Sequence, residues 1–123
     1  SLRYGENPQQ KAAWYRSLGE PGLHEARILQ GKELSYNNLL DLTAALQTLR
    51  RFEALKIAES KTINSAIGVA VKHNNSCGVA AGETIKVCVE RTLAADPVSV
   101  FGGILAFNTE VDEEAAKNLS EVF

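Results

Sequence analysis

AIGVAVKHNNSCG, Ala66 to Gly78, is the stretch on which the fold turns. Its first six residues are apolar, rich in β-branched types and without alternation, which reads as a strand covered on both faces. The run then stops at a lysine, a histidine and two asparagines, more polar chemistry than a simple turn requires. In parallel α/β sheets ligands bind beyond the carboxyl ends of the strands, and Lys72 to Gly82 falls at that place. Side chains alternate along a strand, so Lys72 and His73 can serve one ligand only if the backbone turns between or just after them. Asn-Asn-Ser-Cys-Gly provides such a turn.

Upstream, Leu39, Leu42, Leu46, Leu49 and Phe52 recur at steps of three and four. This spacing predicts a helix over 38–58 with Asn37 or Asn38 as its cap. Short strands are expected at Ala12 to Tyr15 and Ala26 to Gln30, separated by the Gly19 to Gly22 loop. Downstream, Thr84 can cap a helix in which Ile85, Cys88, Val89 and Leu93 share a face before Asp96-Pro97 stops it. Ile104 to Phe107 reads as another buried strand. Asp112 can cap a last helix, with Glu113 and Glu114 in its first turn. Strand, helix, strand then predicts a right-handed parallel unit.

The 123 residues, 45% of them hydrophobic, suffice for one compact domain with a core. Thirteen basic and fifteen acidic side chains, without a Lys/Arg cluster, argue against a nucleic-acid partner. Cys77 and Cys88 form no CxxC pair, and the amino end lacks the pattern of a secretory signal. The expectation is a reduced, cytoplasmic chain with no membrane span. No methionine occurs anywhere, position 1 included, so the chain is expected to be a segment of a longer product.

An imidazole beside an ammonium is favoured in its uncharged, proton-accepting form. Lys72 and His73 therefore suit attack by a weak amine on a carbonyl, one group taking the proton and the other facing the oxyanion. The competing reading has Lys72 extending to solvent and His73 and the asparagines merely satisfying a turn. Cys77 could be a nucleophile activated by His73, or a small buried hydrophobe. Two His and two Cys without compact spacing give no zinc site, and His24 receives no role. Arg3 offers a planar fork suited to phosphate and Tyr4 a ring that stacks or donates, unless both lie in a loose tail. Ser99 to Gly103, SVFGG, has paired glycines that let a ligand, or simply another backbone, come close.

RYGENP, LQGKELSYNNLLDL, VKHNNSCG, AADPVSVFGG and ILAFN, in this order and spacing, closely resemble one family, the bifunctional purine-biosynthesis enzyme AICAR transformylase/IMP cyclohydrolase. The resemblance covers essentially the whole chain. It implies a single partial domain, 1–123, from the first portion of the transformylase region, with the cyclohydrolase domain absent. The implied fold is a truncated three-layer α/β/α arrangement like cytidine deaminase, without catalytic metal. The implied reaction moves a formyl group from the co-substrate 10-formyltetrahydrofolate to the 5-amino group of AICAR, in a homodimer. By the same resemblance Lys72 is a transition-state stabiliser, His73 the proton acceptor, and Arg3, Tyr4 and Gly102 substrate-binding residues. The segment alone is expected to be inactive. A different class of reading is a non-catalytic nucleotide-monophosphate binding or dimerisation module.

Two positions depart from the family pattern. Bacterial members commonly read KHNNPCG where this chain has Ser76, and NPHQ where it has Gln9. The resemblance also raises a geometric conflict. If Ala66 to Val71 and Ile104 to Phe107 are parallel, Lys72 and Gly102 lie at opposite sheet edges. They meet if the strands are antiparallel, if a long loop carries Phe101-Gly102 back, or if two copies in a dimer share the site.

Overall fold

A computed structural model describes residues 1–60 and 65–122. After a 3-10 turn at Leu23–Glu25, the elements are α1 (Tyr36–Ser60), β1 (Ala66–Lys72), β2 (Asn75–Gly82), α2 (Ile85–Ala95), β3 (Ile104–Phe107) and α3 (Glu113–Ser120). The chain is an α/β domain, and its sheet has the order β2-β1-β3 with both pairings antiparallel.

β1 is central, which explains its unbroken apolar sequence. Ile67, Val69 and Val71 point to one face and join Ala45 and Leu49 of α1, with Ile104 and Ala106 of β3 packed alongside. These three strand residues are at most 1% exposed. Burying each contributes on the order of 2 kcal/mol. On the opposite face Gly68, Ala70 and Gly78 lie under α2, and α3 packs in turn against α2. Helix, sheet and helix thus form three layers. Gly68 matters here because a Cβ at that position would run into Thr92 Oγ1 and, at 2.6 Å, the Phe107 ring.

Capping follows the expected chemistry, with one shift. Thr84 Oγ1 accepts from the Val87 N–H at 3.3 Å and starts α2, and the Asp112 carboxylate accepts from the Ala115 N–H at 2.9 Å and starts α3. α1 is capped by Ser35, not by Asn37 or Asn38. The Ser35 hydroxyl accepts from the Asn38 N–H at 3.2 Å, while Asn38 Oδ1 accepts from the Ser35 N–H at 3.0 Å. That exchange is a capping box with asparagine in the usual glutamate position.

Three expectations are corrected. The strands expected at Ala12 to Tyr15 and Ala26 to Gln30 are irregular, and Tyr15, Ile28 and Leu29 are exposed, so no burial compensates the ordering of an extended segment there. β3 is only half-buried because it lies at one side of the three-strand sheet. Most consequentially, β1 and β3 are antiparallel. Residues 75–82, within the Lys72 to Gly82 stretch placed beyond the carboxyl end of the strand, form β2 and reverse the chain before α2 begins. The strand-helix-strand unit is therefore β2-α2-β3, whose two strands run parallel to each other on either side of β1.

Candidate active site

His73 and Asn74 are the two central residues of the β1-β2 hairpin, closed by the Lys72–Asn75 pair. Both adopt positive φ, 51° and 64°, the left-handed conformation that a two-residue turn of this kind needs at both centres. Asn-Gly is the usual solution, and histidine here is a costlier one. The turn is tied down from two sides. The Asn74 N–H donates to Asp41 Oδ1 of α1 at 2.7 Å, and the Asn75 side-chain amide donates to the His73 carbonyl at 2.9 Å. The His73 ring is exposed and hydrogen-bonds to nothing among the described residues.

The antiparallel register resolves the conflict between Lys72 and Gly102. Val71 pairs with Ile104, so the end of β1 lies beside the start of β3. Lys72 Nζ donates to the Phe101 carbonyl at 2.9 Å, one residue from Gly102. The paired glycines divide the two roles read for them. Gly103 is the tight approach, since a Cβ there would lie 2.8 Å from the Val71 carbonyl oxygen. Gly102 has φ +71° and open space beside it. Of the three arrangements that could bring Lys72 to Gly102, antiparallel pairing within one chain is the one observed.

Asp96 organises the turn that presents Phe101 and Gly102. Its carboxylate accepts from the Ser99 N–H at 3.0 Å, and its carbonyl accepts from the Val100 N–H at 3.0 Å. Hydrogen bonding from Ser99, by side chain and then by backbone, with a smaller contribution from the Lys72 charge, holds the Asp96 carboxyl below the ordinary carboxylate range. A depressed folded-state value means a contribution fully present above the unfolded value of about 3.9 and lost as pH falls through the folded one. In an NMR titration toward pH 2 the Ser99 amide should therefore shift and exchange faster below that value, and in Asp96→Asn this acid transition should vanish. A Ser99 amide insensitive to acid in the unsubstituted chain would contradict this role of Asp96 in holding the turn.

Arg3 and Tyr4 are held in place as well. The Arg3 N–H donates to the Leu34 carbonyl at 2.9 Å, and the Tyr36 N–H, an otherwise unpaired donor at the start of α1, donates to the Tyr4 carbonyl at 3.0 Å. The Arg3 guanidinium lies 4.9 Å from the centre of the Tyr4 ring and donates to its hydroxyl at 3.3 Å. No hydrogen bond joins this pair directly to Lys72 or His73 among the described residues. Instead α1 connects them. Asn37 donates to the Glu6 carbonyl at 3.1 Å, and Asp41, four residues on and so on the same helix face, accepts from Asn74. Sequence reasoning placed Asn37 only as a cap and passed over Asp41; their i,i+4 spacing at the start of α1 was the available sign.

The cysteines are accounted for by packing. Cys77 sits where the β1-β2 register shifts, and its thiol donates to the Ala70 carbonyl at 3.6 Å. Cys88 is fully buried, and burial pushes its thiol up. Neither is set up as a nucleophile. Ser76 pairs with Val71 next to the closing pair of the hairpin, so by ladder alternation its N–H faces the open side of β2. A proline, as in the family pattern, fits there without losing a ladder bond. Gln9 is exposed and no contact explains it.

A family profile described as AICARFT/IMPCHase bienzyme matches residues 1–123. The chain belongs to this family. Similar curated proteins are the bifunctional purine biosynthesis proteins PurH of Prochlorococcus marinus strain NATL1A, 52% identical over 99% of this chain, and of Halalkalibacterium halodurans, 50% identical over 99%. The corresponding protein of Synechococcus sp. strain CC9311 is 50% identical over the full chain. The chain spans about 23% of the length of these relatives. AICARFT/IMPCHase membership agrees with the resemblance drawn from the five sequence segments. No helix among the described residues is long and apolar enough to cross a membrane.

Proposed function

We propose that residues 1–123 are the first portion of a formyltransferase region, with the cytidine-deaminase-like architecture the family resemblance implies, and that the longer enzyme carrying it transfers formyl from 10-formyltetrahydrofolate to the amine of AICAR. One observation carries the reading. An exposed imidazole that hydrogen-bonds to nothing among the described residues occupies a left-handed turn position better suited to asparagine or glycine, next in sequence to a lysine whose ammonium is held at the Phe101-Gly102 turn. Residues kept in sparsely populated backbone conformations by their surroundings cluster at functional sites.

The chemistry follows from the two groups. The amine nitrogen attacks the formyl carbon, and the carbonyl electrons move onto oxygen. His73 takes the amine proton, the bond from carbon to the folate nitrogen breaks as the tetrahedral centre collapses, and that nitrogen takes up a proton. An ammonium has three donors. One is spent on Phe101, which fixes the group's position and leaves two for the oxyanion. Arg3 and Tyr4 supply a phosphate-binding fork and a stacking ring for the nucleotide, and Gly102 leaves room for it. The folate pocket, the remaining nucleotide contacts and the homodimer belong to sequence beyond this segment, so the segment alone holds neither substrate in attack geometry and is inactive.

The test is Lys72→Met in the full-length enzyme. Loss of one preorganised charge at a developing oxyanion lowers kcat for formyl transfer by about 10²-fold. A kcat within a factor of two of the unsubstituted enzyme would remove Lys72 from the mechanism.

A further inference from the structure

We infer that Asp41 is a positioning residue for His73. This inference rests on the formyl-transfer reading above. Two consecutive non-glycine residues at positive φ do not hold themselves there, because each has lower-energy conformations to relax into. What opposes that relaxation is the bond from the Asn74 N–H to the Asp41 carboxylate, at 2.7 Å a short charge-assisted contact. It spans from the hairpin tip to a helix that also packs on β1, so the tip is referenced to the core and not only to its own strands. The Asn75 amide bond to the His73 carbonyl is local to the hairpin and moves with it. Asp41 alone, among the described residues, ties the backbone of the tip to another element. The same helix face holds the Arg3-Tyr4 segment through Asn37 and Glu6, so α1 sets the proton acceptor and the nucleotide fork on one frame.

The role is geometric, and it makes specific demands on variants of the full-length enzyme. Asp41→Asn keeps an oxygen acceptor at the same place and should retain kcat for formyl transfer within about threefold. Asp41→Leu removes the acceptor and releases the tip, and misplacement of a base by about 1 Å lowers kcat by up to about 10²-fold. The KM for AICAR should change little, because Arg3 and Tyr4 are held by the Leu34 carbonyl and the Tyr36 N–H, not by Asp41. In Asp41→Leu with Asn74→Gly, glycine adopts positive φ without an anchor, and kcat should recover at least tenfold over Asp41→Leu alone. Recovery by glycine at the neighbouring turn position separates positioning from a general loss of folding, which it would not reverse. If His73→Asn abolishes transfer while Asp41→Leu does not, the formyl-transfer reading stands and Asp41 is not the positioner. If neither variant affects transfer, the formyl-transfer reading itself falls.

Discussion

His73→Asn in the full-length enzyme is expected to lower kcat for formyl transfer by about 10² to 10⁴-fold, the range for loss of a positioned proton acceptor. Asparagine is the informative substitution. At φ 51° alanine would burden the turn as well as remove the base, and the two effects would be confounded. Asparagine tolerates the left-handed conformation, already occupies the next position, and has an amide that cannot accept the amine proton. The hairpin should therefore survive with its Lys72–Asn75 closing pair and the Asp41 anchor in place. The KM for AICAR should stay near that of the unsubstituted enzyme, because Arg3 and Tyr4 are held by the start of α1 and not by the imidazole. The limb of the kcat/KM pH profile that reports the essential base should also disappear. Transfer at close to the original rate would mean that His73 is a turn residue and nothing more, the competing reading of VKHNNSCG.

That competing reading could not be dismissed from sequence because the deciding facts are conformational. The spacing of leucines marked α1, although of those leucines only Leu49 is buried and Phe52 is exposed, and the unbroken apolar run marked β1 because it reports burial directly. Thr84 and Asp112 marked helix starts since capping is a local, side-chain-to-backbone chemistry. β2 escaped notice for a physical reason. NSCGVAAG opens on exposed polar residues and continues in alanine and glycine, types depleted in strands, and its order comes from pairing with β1. Missing one strand reversed the inferred direction of β3 and set Lys72 apart from Gly102 on paper. Asp41 was hidden for a related reason. On α1 alone it is an ordinary polar position, and its partner lies thirty-three residues away across a hairpin the sequence does not announce.

The close packing that makes this architecture possible yields the sharpest expectation for stability, Gly82→Ala. Gly82 ends β2 opposite Ala66, two residues before the cap of α2, and it is buried. A Cβ there would lie 2.6 Å from the backbone nitrogen of Cys88 and 3.0 Å from its Cα. Those atoms belong to the first turn of α2, whose Cys88 N–H already donates to the Thr84 carbonyl at 3.0 Å. Relief requires moving the helix off the sheet, which also disturbs Cys88 and Val89 in the buried layer beneath. Overpacking against atoms that cannot rotate away places the cost toward the upper part of the usual range, about 3 kcal/mol. Urea unfolding of the 123-residue chain should show the midpoint falling accordingly at unchanged slope. Gly68→Ala is the useful contrast. The atoms its Cβ would meet are side-chain atoms, Thr92 Oγ1 and the Phe107 ring, so pairing it with Phe107→Leu should recover part of the loss. No trimming of a side chain can do the same for Gly82→Ala, since its obstruction is main chain. A Gly82→Ala chain that unfolds at the original midpoint would mean that α2 does not sit this close to β2, and the three-layer packing beneath the candidate site would have to be redrawn.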